Sequence, residues 1–215
     1  MDRKIFLSGY LGFDFATIRE IITKLKNIYS GTFASEYKHI QSSEEYLWLK
    51  DRIENRTEMN LTLKGKRTIL ERLISSEIFE KFLDKKYRGS KRFGLDGSES
   101  TIPALEQILK RSSDHGIQDF SFACAHRGRL NILANIIKKP QLQIFSEFIH
   151  GGENALSNQG SGDVKYHLGA SSNRSLDGNI IHVSMAANPS HLEAVNPIVA
   201  GKIRAKQTII NDHSN

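Results

Sequence analysis

The chain has 215 residues, of which 39% are apolar and 25% are charged, which is ordinary for a globular protein and argues against extended disorder. Its single cysteine, Cys124, cannot form an intrachain disulfide or a cysteine-rich zinc cluster, so a reducing compartment is favoured. The net charge of +6 comes from cations that alternate with carboxylates along helical stretches, which indicates a solvated surface more than a nucleic-acid-binding stripe.

The first 88 residues are predicted to form a helical segment. Thr17 and Glu20 have the spacing of a capping box at the start of a helix. A long helix is predicted over Lys64–Tyr87, with a break near Ser75-Ser76. The apolar residues expected on its inner face are Ile69, Leu70, Leu73, Ile74, Phe79, Phe82 and Leu83.

Residues 89–215 are predicted to form an α/β domain. Asp119–Ala125 and Ile180–Ala186 are short apolar runs, typical of buried strands. Strands that alternate with helices predict a parallel sheet, and since two clear strands are too few for one, the sheet is expected to be incomplete. The expected helices run from Ile102 to near Gly116, over Arg127–Lys138, from Pro140 to Phe148 and over Leu192–Thr208.

No apolar run approaches the roughly 20 residues that cross a bilayer. The first residues also lack the apolar stretch of a secretory signal peptide. A cytoplasmic location, without membrane insertion, is therefore expected.

The first polar cluster directly follows the strand predicted over Asp119–Ala125. It consists of His126-Arg127-Gly128-Arg129, and open α/β sheets bind ligands beyond the carboxyl ends of their strands. Arg127 and Arg129 can bind phosphate or carboxylate, and Gly128 would let the backbone approach an anion. The cluster predicts an anion site, although a basic surface turn would give the same pattern. Cys124, just before it, is interpreted as a buried core thiol and not as a nucleophile.

Two further polar clusters lie later in the chain. Ser161–Gly169, followed by Ser171-Ser172, closes a Gly-rich loop, and long loops inside domains are often functional. By itself, His167 in this cluster would be an ordinary surface residue. Asn188–Leu192 follows the second predicted strand, and Ser190 there suits both a helix cap and a contact to phosphate.

One apparent metal motif is rejected. Gly162-Asp163 precedes Asn188 at roughly the spacing of the Gly-Asp…Asn-Asn motif that binds thiamine diphosphate and magnesium. Val164 and Pro189, however, suit neither a close diphosphate approach nor a metal-bound amide. No metal ligand is therefore predicted within these 215 residues.

The chain resembles the thiamine-diphosphate-dependent component of 2-oxoglutarate dehydrogenase in three ordered motifs, AHRGRLNILANI, GSGDVKYHLG and ANPSHLEAVNP. The stretch KRFGLDGSESTIPAL adds to the resemblance, which runs from about Gly9 to Lys206. It implies that the second part of the chain is the first part of a thiamine-diphosphate-binding fold. Since the metal motif and the second half of that family are missing, an internal fragment is expected.

The resemblance implies an oxidoreductase of the tricarboxylic acid cycle that decarboxylates 2-oxoglutarate and transfers the succinyl group to a lipoyl arm. Thiamine diphosphate, bound with magnesium, would attack the keto carbon and serve as electron sink. The implied partners are a lipoyl-bearing succinyltransferase, dihydrolipoyl dehydrogenase and a second copy of the complete enzyme. Turnover is expected in a complete enzyme and not in this chain alone.

The resemblance also implies roles for individual residues. His126 and His167 resemble the catalytic histidines of the substrate pocket, where a protonated imidazole can stabilise a carboxylate. Arg127 resembles a residue that contacts both cofactor and substrate. The other implied contacts are Ser171 for the substrate, Ser190 for substrate and cofactor, and Leu192 for the cofactor.

Two other readings remain open. One is a non-catalytic remnant or interaction module that binds the enzyme complex. The other is a basic protein that binds anions or nucleic acid, which depends only on the net charge and the arginine pair and is the weaker of the two.

Overall fold

A computed structural model describes residues 3–55, 60–149, 167–188, 191 and 193–212. They form two compact units, Met1–Leu61 and Thr62–Asn215. The domain boundary predicted from the sequence lies between residues 88 and 89. The division at Leu61 therefore assigns the predicted long helix to the second unit. Among the described residues, no helix combines the length and the apolar character that crossing a membrane requires.

The first unit begins with an antiparallel hairpin in which β1 (Lys4–Phe6) pairs with β2 (Phe15–Thr17). The prediction of a wholly helical front segment is therefore wrong. Strands of three residues are too short to show the two-residue alternation that identifies a strand in a sequence.

Two helices complete the first unit, α1 (Ile18–Tyr29) and α2 (Ser43–Glu54). The predicted capping box is confirmed, because the Thr17 hydroxyl accepts a hydrogen bond from the Glu20 amide and the Glu20 side chain accepts one from the Thr17 amide. This reciprocal pair satisfies backbone donors that have no partner inside the helix. The start of α1 is thus set by its local sequence.

A tyrosine–carboxylate cluster joins α1 to α2. The Tyr29 hydroxyl donates to Oε1 of Glu54 at 2.6 Å and lies 2.8 Å from the Tyr37 hydroxyl. Glu54 is only 5% exposed, so its carboxylate depends on the Tyr29 hydroxyl as a donor. Burial, together with the hydrogen bonds to Glu54 and Tyr37, raises the pKa of Tyr29, which keeps the hydroxyl protonated as a donor.

The second unit contains a three-stranded sheet with the strand order β3-β5-β4. β3 and β5 are parallel, with Phe120 opposite Val183, and β4 runs antiparallel to β5. Its elements are α3 (Leu63–Lys86), α4 (Thr101–Asp114), β3 (Asp119–Phe122), α5 (Arg129–Asn135), α6 (Gln141–Ile149), β4 (Ala170–Leu176), β5 (Asn179–Met185) and α7 (Val195–Ile209).

The predicted α/β class and both predicted strands are confirmed, although β3 ends at Phe122 and not at Ala125. The prediction of a purely parallel sheet is wrong, because β4 was missed. Its sequence, ASSNRSL, is polar and lacks a clear alternation. The sequence did contain one signal for the β4–β5 hairpin, the turn dipeptide Asp177-Gly178, in which both residues have positive φ.

The core of the second unit lies where α3, α4, α5 and α6 pack beside the sheet. α3 continues without the predicted break at Ser75-Ser76, because the buried Ser76 hydroxyl accepts a hydrogen bond from the Asn131 amide of α5 at 2.8 Å and so does not compete with the helix backbone. The prediction of the residues on the inner face of α3 was only partly correct. Phe79 and Leu83 are buried, whereas Leu70, Ile74 and Phe82 are exposed.

Replacing Tyr29 with phenylalanine tests the tyrosine–carboxylate cluster. Tyr29→Phe should destabilise the first unit by about 1–2 kcal/mol, because the buried Glu54 carboxylate loses a donor. Amide hydrogen exchange in α1 and α2 measures the loss. Tyr10→Phe is the matched control, since the Glu54 carboxylate accepts its hydrogen bond from Tyr29 and not from Tyr10, and this change should leave exchange unchanged; equal protection in the two variants would contradict the prediction.

The pH dependence of the same contact has a defined direction. The pKa of Tyr29 is raised in the fold. The contribution of this contact to the free energy of unfolding should therefore be complete below pH 10, roughly the pKa of tyrosine in the unfolded chain, and should decline as the pH rises above that value.

Candidate functional site

The described parts of the three polar clusters predicted from the sequence meet at one edge of the sheet. Residues 123–126 follow the carboxyl end of β3, and residues 186–188 follow the carboxyl end of β5. Because β4 is antiparallel to β5, residues 167–169, which precede β4, reach the same edge. Segments that are far apart along the chain therefore lie at the same edge of the sheet.

A buried arginine, Arg129 of α5, joins the three segments. Its side chain is completely buried, with Nη1 donating to the Cys124 carbonyl at 2.6 Å. Nη2 donates to the Ala186 carbonyl at 2.6 Å and to the Leu168 carbonyl at 2.9 Å. One guanidinium thus bonds carbonyls from all three segments, including a longer contact of 3.4 Å to the His167 carbonyl, and we call this arrangement the arginine clamp.

The prediction that Arg129 binds an anionic ligand is not supported by this geometry. Burial lowers the pKa of Arg129, but an arginine remains a cation in proteins and its N–H groups need acceptors. In the clamp these acceptors are backbone carbonyls. The Nε atom is buried and bonds none of the described residues.

Asn188 adds a second connection among the same segments. Its Nδ2 donates to the carbonyls of Ala125 at 2.9 Å and Cys124 at 3.2 Å, and its backbone amide donates to the His167 carbonyl at 3.0 Å. Its Oδ1 is buried and accepts no hydrogen bond from the described residues. The sequence analysis gave Asn188 no structural role, because its partners are far away along the chain.

Close backbone contacts also require glycine at this edge. A Cβ on Gly169 would lie 2.7 Å from the Met185 carbonyl oxygen and 2.9 Å from the Ala187 amide nitrogen. Gly128 has φ 68° in the turn before α5, and a Cβ there would lie 2.2 Å from the Leu95 side chain. The space beside the Cα of Gly128 is therefore occupied by the Leu95 side chain. The prediction that an anion could approach the backbone on this side is wrong.

The predicted site residues that the structure describes all lie near this edge. His126 is half-buried, and its ring centroid lies 4.8 Å from that of Phe93. His167 is half-buried, and Ser171 is exposed near the start of β4. Arg127 is exposed, and its Nη1 lies 3.5 Å from the Gly94 carbonyl, which is a weak contact.

Several parts of the predicted site lie outside the described residues. These include Ser190 and Leu192, which the resemblance implies as cofactor contacts, and the Gly-rich loop with residues 161–166 of the second cluster. Their roles stay predictions.

A cleft of about 690 Å³ opens beside the turn that contains Arg127, residues 126–128. It is lined by five carboxylates and three cations, so its charge balance does not suit a diphosphate, and the cofactor is not expected there. Within the described residues, no group of three or more His, Cys, Asp or Glu side chains could hold a metal ion. The charged lining residues are Glu77, Glu80, Asp84, Asp96, Glu99, Lys81, Arg92 and Arg127.

The Cys124 thiol packs against the core, in agreement with its interpretation as a core residue. Its Sγ donates weakly to the Arg127 carbonyl at 3.8 Å. Burial raises the pKa of this thiol, and the nearby Arg129 opposes that effect. The neutral thiol is a poor nucleophile.

Truncation of the clamp should destabilise the second unit. Arg129→Met leaves three carbonyls without their charged donor, and we expect a loss on the order of 3 kcal/mol or more in urea-induced unfolding. Arg127→Met is a matched control two residues away, and as an exposed side chain it should change stability by no more than about 0.5 kcal/mol. Equal unfolding midpoints for the two variants would show that the clamp does not stabilise the fold.

Thiol reactivity measures the burial of Cys124. At pH 8 the folded chain should react with an aromatic disulfide reagent about tenfold or more slowly than the chain unfolded in guanidinium, because reaction requires an accessible thiolate. A folded-state rate equal to the unfolded one would mean that the thiol is accessible.

Comparison with known proteins agrees with the resemblance in the motifs. The chain is 51% identical over 210 residues to the 2-oxoglutarate dehydrogenase E1 component of Brucella anthropi, and 50% identical over 210 residues to those of Brucella canis and Brucella suis. Each alignment covers 97% of this chain and 21% of the relative. No protein-family model matches the chain. Nearly all of this chain is therefore homologous to about one fifth of the 2-oxoglutarate dehydrogenase E1 component.

Proposed function

We propose that this chain supplies the substrate-side residues of a thiamine-diphosphate-dependent 2-oxoglutarate dehydrogenase. The observation that carries the proposal is the convergence of His126, Arg127, His167 and Ser171 at one sheet edge, through segments that Arg129 and Asn188 hold together. Ligands of α/β sheets bind at such edges. The sequence identity to the E1 component makes 2-oxoglutarate the substrate to test first.

The residue chemistry suits a dicarboxylate. 2-Oxoglutarate carries two carboxylates, and an imidazole N–H of His126 or His167 can donate a hydrogen bond to either. Arg127 can add a charge-assisted bond, because it is exposed and its contact to the Gly94 carbonyl is long. In this proposal Ser171 adds a hydroxyl on the substrate side.

The cofactor and partners belong to the same proposal. When bound, thiamine diphosphate with magnesium would supply a carbanion and an electron sink. Of its predicted contacts, Arg127 lies within the described residues, and its exposed guanidinium can donate to an anion. We further infer a lipoyl-bearing succinyltransferase and dihydrolipoyl dehydrogenase as partners, homodimeric assembly and a bacterial cytoplasmic location.

The chain spans about one fifth of the length of the curated relatives it matches. We therefore propose the full reaction for an enzyme that contains this chain together with the parts that complete its relatives. The isolated chain should not reduce ferricyanide with 2-oxoglutarate, even with thiamine diphosphate and magnesium, because the expected magnesium motif is not among its residues.

A chimera tests the proposed function. This chain replaces the aligned 210 residues of the Brucella anthropi E1 component, and we expect 2-oxoglutarate-dependent ferricyanide reduction above that of a no-protein blank. In this chimera His126→Ala and His167→Ala should each lower kcat/KM by roughly 10- to 150-fold, the effect of losing one charge-assisted bond of about 1.5–3 kcal/mol.

The matched control is His115→Ala. His115 is exposed and precedes the amino end of β3, at the opposite edge of the sheet, so this change should leave kcat/KM unchanged. An inactive, folded chimera would contradict the proposed function. An active chimera whose His126 and His167 variants match the control would contradict the site assignment.

A further inference from the structure

We propose that Glu80 of α3 is a positioning residue for the candidate site: it fixes the loop Phe93–Leu95, and this loop fixes the turn His126–Gly128. The inference rests on the proposed function, because it assigns the turn a role toward substrate. Glu80 itself is not proposed to touch the substrate.

The first link is between Glu80 and the loop. Both carboxylate oxygens accept a hydrogen bond from the Leu95 amide, at 2.9 Å and 3.0 Å. Hydrogen bonds to a charged group are stronger than neutral ones, so this bond fixes the end of the loop at Leu95. The loop itself contains no regular secondary structure.

A buried amide orients the Glu80 carboxylate. Nδ2 of Asn131 donates to Oε1 of Glu80 at 2.8 Å and also lies within hydrogen-bond distance of Ser76. Oδ1 of Asn131 accepts a hydrogen bond from Asn135 at 2.7 Å. These successive hydrogen bonds fix the rotamer of Glu80 and link its carboxylate to α5, the helix that contains Arg129.

The second link is between the loop and the turn. The Phe93 carbonyl accepts a hydrogen bond from the Gly128 amide at 2.7 Å, and the Phe93 ring lies beside the His126 ring. Leu95 packs directly against Gly128, at a distance that would not allow a Cβ there. Displacing the loop must therefore displace the turn.

Gly94 provides an independent observation for the same arrangement. A Cβ at this position would lie 2.5 Å from Oε2 of Glu80, so the carboxylate occupies the space that a side chain would need. The φ of Gly94 lies outside the left-handed region, so an alanine there would meet this steric conflict without backbone strain. Gly94→Ala should consequently disturb the turn in the same way as removal of the Glu80 carboxylate.

The positioning can be measured without catalysis, on the 215-residue chain with ring-labelled histidine. In Glu80→Ala, the carbon–proton NMR signal of the His126 ring should shift toward its position in Phe93→Leu, a variant that removes the neighbouring aromatic ring. Glu80→Gln keeps one acceptor for Leu95 and should shift the signal less. The control Glu71→Ala, at an exposed position of the same helix, should leave it unchanged.

If Glu80→Ala does not fold, Glu80→Gln and Gly94→Ala decide the matter. A His126 signal that stays at its parental position in the folded variants, while Phe93→Leu shifts it, would overturn the inference. A purely stabilising role of Glu80 would lower the melting temperature without moving this signal at a temperature far below melting.

The catalytic consequence is measured in the chimera. Glu80→Ala should lower kcat/KM for 2-oxoglutarate on the order of 10- to 100-fold, the effect of misplacing a catalytic group by about 1 Å. Glu80→Gln should recover part of the loss, and Glu71→Ala should equal the parent. Parental kcat/KM in Glu80→Ala, despite a shifted His126 signal, would also overturn the role.

The two proposals fail separately. An inactive parent chimera counts against the proposed function, while the NMR result on the 215-residue chain still decides whether Glu80 positions the turn.

Discussion

The arrangement of the candidate site depends on one buried cation, the Arg129 guanidinium. Burying a charge is costly unless its donors find acceptors, and here Nη1 and Nη2 of Arg129 donate to the carbonyls of Cys124, Leu168 and Ala186. These carbonyls come from three separate segments. The electrostatic requirement of a single side chain therefore determines that the ends of β3 and β5 and the start of β4 stay together.

The same edge illustrates how a rigid site can be formed from irregular backbone. Loops carry many functional side chains, but they place them accurately only when surrounding groups fix the backbone. Arg129 and Asn188 fix the segments from the sheet side, and Glu80 fixes the facing loop from α3. The side chains proposed to meet the substrate are held by residues that need not touch it.

Charge at this site cannot be judged from composition. The chain carries a net charge of +6, yet the cleft beside Arg127 contains more carboxylates than cations. One of the two arginines that suggested a basic anion-binding turn is an internal structural group. The alternative that the chain is a basic nucleic-acid-binding protein depended on the net charge and on this arginine pair. With Arg129 buried, only Arg127 of the pair could contact a nucleic acid.

The sequence by itself determined the features with short-range causes. Cap spacing predicted the start of α1 at Thr17, apolar runs predicted β3 and β5, and three ordered motifs predicted the resemblance to the 2-oxoglutarate dehydrogenase E1 component. Such signals are local or collinear, and a single chain displays them completely.

Tertiary structure alone decided the rest. β4 is a polar strand that exists because β5 offers it a ladder of hydrogen bonds, and α3 continues through Ser76 because Asn131 bonds its hydroxyl. Arg127 and Arg129 have the same chemistry and lie two residues apart, yet one is exposed and the other is buried. The difference arises from acceptors as far as 57 residues away along the chain, which no local pattern of the sequence encodes.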